Sequence, residues 1–376
     1  MIIDPNKEFQ SILESAINSI SLVQPLSHNG IALYGAGAMG EMALDFLKLI
    51  NLTPKYIVDT HKNGKLREIN IIHPIDIPKD DLENLTFILC VVTVPITPIV
   101  KYLKELGCQD IRHFYDYTEI MLKNELTNGW ACFNPTHEDI EEISRVCQYL
   151  EHDKHSLVHY LQFLWWRLRR VEKIYPEYPV QSNQKYFKAP CVPKLTENES
   201  FLDGGAHFGT TTKSFLDAVD MKFNTIWAVE PDEKNITIMK TEFSDVGNIK
   251  YLPIALSDSN EISNFVDGLG FASKVEKNGN TTIQTKTIDS LNINPTVIKL
   301  HLEGYELRAL HGAKETIRRD RPILMVLADH NEDGLYKIAH FLMSLEGYKI
   351  YFYLHDYCGN SAILYAIPSE RCRNNE

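Results

Sequence analysis

The most constraining feature of the chain is a glycine-rich turn set between a strand and a helix. An apolar pair, Phe201-Leu202, runs into Asp203-Gly204-Gly205-Ala206-His207-Phe208-Gly209, and a helix opens on Thr210-Thr211-Thr212. Glycines let a backbone approach a ligand where a Cβ would collide. A helix start presents free N–H groups to an anion. The next apolar run, Thr225 to Val229, ends in Glu230-Pro231-Asp232, with Glu230 27 residues after Asp203. A carboxylate at that strand end can accept hydrogen bonds from two neighbouring hydroxyls. The plainer alternative for Glu230 is an exposed strand-end acid. Together, turn and acid point to a parallel α/β sheet that binds its ligand outside the carboxyl ends of its strands.

The remaining patterning extends that sheet. Strands are expected at Ile249 to Pro253, Val297 to Leu302 and Ile323 to Leu327, with helices at 210–219, 233–243, 305–318 and 333–345. Tyr348 to Leu354 and Ala362 to Ile367 flank a polar turn, Asp356 to Ser361, and so form an antiparallel pair. Three further strand ends carry polar groups: Ala255-Leu256-Ser257 within IALSD, His301 and Glu303 within VIKLHLEGYE, and Asp329-His330. Each can also be an ordinary strand-end loop.

An earlier α/β run spans residues 28–120. Ile31 to Tyr34 leads into Gly35-Ala36-Gly37-Ala38-Met39-Gly40, a G-x-G-x-x-G turn between strand and helix. Asp59 ends the next strand, Tyr56 to Val58, 24 residues after Gly35, where a ribose-binding acid is expected. Asp59 can instead cap the turn that follows it. Helices are expected at 39–50 and 96–106, and a buried strand at Phe87 to Val92. Residues 5–24 read as an amphipathic helix, and 137–173 as two helices with no strand pattern. The expected organisation is an N-terminal helix (1–27), a Rossmann-like nucleotide-binding domain (28–120), a helical linker (121–185) and a second α/β domain (186–376).

Composition bounds the partners. The net charge is −12 and no dense Lys/Arg run is present, which argues against nucleic acid. Arg167, Arg169 and Arg170 at a helix end read as solvated charge. The longest apolar run, Phe87 to Ile96, is too short for a membrane span. Seven cysteines without a C-x-x-C pair argue against a disulfide framework and a structural zinc site, so a reducing cytoplasm is the expected compartment. His152, His155 and His159 lack a third ligand in register and read as a packed or solvated face. Trp165 and Trp166 are candidates for an acceptor-site wall or a subunit contact in a homo-oligomer.

From Phe201 to Pro368 the chain resembles the FkbM methyltransferases, on DGGAHFG, the EPD triplet, IALSD, IKLHLEGYELRALHGA, Tyr186-Phe187, ADHNED and ILYAIP. The fold class expected is α/β with two Rossmann-like domains, and the resemblance implies that the C-terminal one is a class I methyltransferase fold with a mostly parallel sheet ending in an antiparallel hairpin. It also implies S-adenosylmethionine as cofactor and O-methylation of a sugar, nucleotide-sugar, glycan or similar hydroxylated acceptor. Cofactor contacts then fall to Asp203, Gly204, Gly205, Ala206, His207, Gly209, Thr210, Glu230, Pro231, Ala255, Leu256 and Ser257. Catalytic roles fall to His301, Glu303, Asp329 and His330.

One residue departs from the family, which carries Asp where this chain has His301. A hydroxyl needs a base or a metal to become a nucleophile. His can be either base or ligand, with a preference for transition metals over Mg²⁺. The alternative is a non-catalytic nucleotide-sugar-binding protein with a degenerate methyltransferase domain.

Residues 29–118 resemble small nucleotide-binding domains that precede sugar-modifying enzymes, on YGAGxxG, IVD and the HPID segment at His73 to Asp76. That implies a nucleotide, nucleotide-sugar or nicotinamide at Gly35, Gly37, Gly40 and Asp59. An NAD-dependent oxidoreductase is the third reading, although no Tyr-x-x-x-Lys pair accompanies the turn.

Overall fold

The structure, a computed structural model, describes residues 4–17, 30–121, 133–266, 274–275 and 281–372. After α1 (Pro5–Ile17) come β1 (Ile31–Tyr34), α2 (Ala38–Leu49), β2 (Tyr56–Val58), β3 (Gly64–Leu66), β4 (Ile69–Ile72), α3 (Lys79–Asn84), β5 (Thr86–Leu89), α4 (Ile96–Leu106), β6 (Asp110–His113) and α5 (Phe114–Met121). Their sheet has the order β3-β4-β2-β1-β5-β6. Neighbours are parallel except in the β3–β4 hairpin. The expected extension of the first helix beyond residue 17 lies outside the described residues.

Two helices follow, α6 (His137–Leu150) and α7 (Lys154–Arg169). Every residue from Ser156 to Leu168 is buried, so α7 is a core helix rather than an outer one.

The second part comprises β7 (Ser200–Gly204), α8 (Thr210–Ala218), β8 (Thr225–Val229), α9 (Glu233–Glu242), β9 (Ile249–Leu252), β10 (Ala255–Leu256), β11 (Glu261–Val266), β12 (Lys274–Val275) and β13 (Thr281–Lys286). It continues with β14 (Val297–Leu300), α10 (Glu306–His311), α11 (Lys314–Asp320), β15 (Ile323–Leu327), α12 (Lys337–Met343), β16 (Tyr348–Leu354) and β17 (Ala362–Pro368). The main sheet runs β16-β17-β15-β14-β7-β8-β9, and β17 is antiparallel to both of its neighbours. β15 is buried at every position because helices cover both faces, which is why its sequence is an unbroken apolar run. A side sheet, β10-β13-β11-β12, builds on the IALSD segment, where only a loop was expected.

Successive strands step from β7 outward to β9, then restart on the other side of β7 at β14. That reversal opens a crevice at the carboxyl ends of β7 and β14. The expected helix over 305–318 is broken there. A Cβ on Gly312 would lie 2.2 Å from the Ser257 carbonyl oxygen, so the chain passes the IALSD segment without a side chain.

α7 completes the edge strand β16. Ser156 Oγ accepts from Phe352 N at 3.0 Å and His159 Nδ1 from Leu354 N at 3.1 Å. His159 is thus a core histidine, pushed down to about 4 by burial.

The solvated reading of the arginine cluster is overturned. Arg167 is buried and donates to the carbonyls of Asp329 (2.9 Å) and Asn331 (3.3 Å), while Arg170 pairs with Asp116 at 2.8 Å. Trp165 and Trp166 do not wall the cavity described below. Trp165 Nε1 donates to Glu8, and Trp166 packs edge-on against His113 of the first sheet. The turn between β16 and β17 seats on that same sheet through Tyr357 N to Val92 O, at 2.7 Å.

Candidate functional site

The glycine turn after β7 is fixed by close packing. Gly205 has φ 72°, and a Cβ there would fall 1.9 Å from the His301 carbonyl oxygen. Gly209 has φ 84°, and its Cβ would strike the Phe243 ring at 2.4 Å. The turn is tied to β8 by Gly205 N and Ala206 N donating to Val229 O at 2.9 and 3.0 Å. His207 N donates to Glu230 Oε2 at 2.9 Å, while Oε1 accepts from Asp232 N (3.0 Å) and Asn235 Nδ2 (3.3 Å). Burial raises the Glu230 pKa against these donors. Burial, with Lys299 nearby, pushes His207 down to about 4.

Asp203 is occupied within the protein. Its fully buried carboxylate accepts from Lys299 Nζ at 3.0 Å and Thr212 Oγ1 at 2.8 Å. The same ammonium donates to the carbonyls of Gly204 (3.1 Å) and Gly205 (2.7 Å). Lys299 therefore clamps the turn from β14. Sequence reasoning passed over it; its one signal was a lysine inside the apolar run VIKL.

A cavity of about 370 Å³ opens at this crevice. Gly205, Ala206, His207 and Thr210 line it from the turn, Glu230 and Pro231 from the end of β8, and Ala255 and Leu256 from the side sheet. His301 and Glu303 close its far end. Lys185, Tyr186, Asn235 and Lys299 also line it and were not among the expected contacts. Asp203, Gly204, Gly209 and Ser257 do not line it. The first three hold the turn, and buried Ser257 donates from its amide to Lys286 O at 2.9 Å.

Behind the far end lies a knot of acids and imidazoles. His301 Nε2 is 3.2 Å and His330 Nε2 3.4 Å from Glu303 Oε1. The two rings stack with centroids 4.9 Å apart. Glu306 is buried; Oε1 accepts from Leu302 N (2.7 Å) and faces His330 Nδ1 (2.8 Å), and Oε2 accepts from Gly304 N (3.0 Å). Burial alone would lower the His330 pKa, but Glu303, Glu306 and Asp329 outweigh it and raise it to about 10. His301 is driven the other way, well below its ordinary value, by the protein packed round its ring, whose one open edge faces the cavity, and by His330. Neither Asp329 nor His330 lines the cavity: Asp329 Oδ2 accepts from Ser361 N at 2.6 Å, and His330 stands behind Glu303.

In the first sheet, Gly35 has φ 113° and a Cβ would lie 2.6 Å from Cys90 O, while one on Gly40 would lie 2.2 Å from Gly35 O. Asp59 Oδ2 accepts from Ala36 N (2.9 Å), and Oδ1 from His61 N (2.8 Å) and Lys62 N (3.0 Å). Partial burial opposes ionisation of Asp59, but these amides outweigh it and lower its pKa. A cleft beside the turn is lined by Ala36, Gly37, His61 and Lys62, and not by Asp59.

Residues 203–350 match the family model of the methyltransferase FkbM domain. Among solved structures, the chain is similar over 96% of its length to all of methyltransferase FkbM from Methylobacillus flagellatus KT, at 18% identity and TM-score 0.64. Precorrin-6y C5,15-methyltransferase from Geobacter metallireducens GS-15 matches 46% of this chain over 81% of its own, at 14% identity and TM-score 0.30. No curated protein matches the chain in sequence. Among the described residues no helix is long and apolar enough to cross a membrane. What these comparisons establish is a match to the methyltransferase FkbM domain over residues 203–350 and a fold shared with a solved FkbM methyltransferase.

Proposed function

We propose that this protein transfers a methyl group from S-adenosylmethionine to a hydroxyl of a sugar, nucleotide-sugar or similar small acceptor. One observation carries the reading: a single cavity joins the glycine turn and Glu230 to His301 and Glu303. The residues fit the cofactor. The start of α8 has no side-chain cap, which leaves its amides to a carboxylate. Glu230 Oε2, which accepts from one amide only, keeps acceptor capacity for a ribose hydroxyl. Ala255 and Leu256 offer an apolar wall to an adenine.

When bound, S-adenosylmethionine supplies an electrophilic methyl on its sulfonium. The chain's part is to hold the acceptor oxygen in line with that methyl and to take its proton. Glu303 faces the cavity and is the carboxylate suited to receive that proton. His301, neutral at pH 7, orients Glu303 from the cavity side. His330, held as a cation in the metal-free protein, orients it from behind. For the first sheet, the Gly35 turn and the cleft beside it support a nucleotide or nucleotide-sugar site.

The test is methyl transfer from labelled S-adenosylmethionine to a panel of sugars and nucleotide-sugars, by wild type and Glu303→Gln. Turnover that falls about 100-fold or more in the variant supports the roles. S-adenosylhomocysteine binding with no turnover on any acceptor would favour the non-catalytic alternative.

A further inference from the structure

We propose that His301, Glu303 and His330 form a site for one divalent transition-metal ion. Among the described residues, one donor atom from each lies within 4.8 Å of the other two. The two imidazole Nε2 atoms converge on one carboxylate oxygen at 3.2 and 3.4 Å. A tetrahedral ion with bonds of about 2.05 Å has ligand–ligand edges of about 3.3 Å. Two edges of the triangle already have that length, and a small rotation of the partly exposed His301 ring closes the third.

Two independent features point the same way. Glu306 faces Nδ1 of His330 at 2.8 Å and is itself fixed by two backbone amides. A carboxylate behind an imidazole sets its tautomer and turns the other nitrogen toward a metal. The loop also holds Glu303 at φ 51° and Gly304 at φ 100°, a left-handed pair that returns the carboxylate between the two rings. Two imidazoles with one carboxylate suit Zn²⁺, Co²⁺, Mn²⁺ or Fe²⁺ and disfavour the all-oxygen preference of Mg²⁺ and Ca²⁺.

His301 and Glu303 line the cavity, so the open positions of such an ion face the acceptor. This part of the inference rests on the methyltransferase reading; ion binding does not. A coordinated hydroxyl has a lowered pKa and passes its proton to the Glu303 oxygen that does not bind the ion. Its oxygen then bonds to the methyl carbon while the electron pair of the broken C–S bond stays on sulfur.

The experiment uses the full chain, dialysed against chelator, then titrated with Co²⁺ by visible absorbance and with Zn²⁺ by calorimetry. The expected result is one ion per chain, no Mg²⁺ uptake, and at least tenfold weaker binding in both Glu303→Gln and His301→Ala. Circular dichroism confirms that each variant is folded; His301→Ala, at a partly exposed position, serves where a buried substitution unfolds the protein. Absence of stoichiometric Co²⁺ binding, or wild-type affinity in both variants, overturns the site. S-adenosylhomocysteine is titrated into the same samples. Its binding without Co²⁺ rejects the metal alone, and Co²⁺ binding without it rejects the methyltransferase reading alone.

Discussion

Glu230 and Asp59 do the same structural work at the ends of β8 and β2. Each accepts one amide from its glycine turn on one oxygen and two donors on the other. They differ in what they face: Glu230 lines the enclosed cavity, and Asp59 does not line the cleft beside its own turn. A hydrogen bond to a charged group contributes about 1.5–3 kcal/mol, so Glu230→Ala is expected to weaken S-adenosylhomocysteine binding about 10–100-fold by calorimetry. Because burial raises the Glu230 pKa, that affinity should fall with decreasing pH from above the ordinary ~4.3 of a glutamate. His330 gives a second pH signature. Its folded pKa of about 10 lies above the ordinary 6.5, so its proton contributes stability that is complete below 6.5 and lost as pH rises through about 10. Thermal melts of metal-free protein should show that alkaline loss, and His330→Gln should flatten it. Glu230 was legible in the sequence because a strand end and a turn announce it. The Lys299–Asp203 pair was not, since its members stand 96 residues apart and only the β7–β14 pairing brings them together.

That pairing makes a prediction for the elements. Removing one partner of a buried ion pair costs about 3–5 kcal/mol, so Lys299→Met should lower unfolding free energy by that amount in urea titrations. It should also loosen the turn that Lys299 clamps. Strands buried on both faces were read well, as at Ile323–Leu327, because an unbroken apolar run has few other uses. The break after α10 and the strand at Ala255–Leu256 were missed for one shared reason. The break comes where Gly312 passes Ser257 and the strand comes from pairing with β13, and nothing within either segment announces its distant partner. The α7 arginines were misread because charge ordinarily seeks water, whereas here backbone carbonyls and Asp116 receive it.

At the scale of the molecule, α7 and the β16–β17 turn join the two sheets. Trp166 and Cys358 are buried in the first sheet's core, Glu172 accepts from Ile96 N and Thr97 N at the start of α4, and Asn360 donates to Tyr115 Oη. The two sheets should therefore unfold in one denaturant transition, and Trp166→Ala should cost about 3–5 kcal/mol. Two separate transitions would contradict this coupling. The sequence separated two α/β runs by their glycine turns, but the surfaces that join them are scattered aromatic and polar residues with no period. The central claim is that the cavity at the carboxyl ends of β7, β8 and β14 binds the methyl donor. Calorimetric titration of S-adenosylhomocysteine into the full-length protein and into folded Glu230→Ala tests it most directly. The account predicts one site per chain in the wild type and binding at least tenfold weaker in the variant. No binding to the wild type, or equal binding to both, would contradict it.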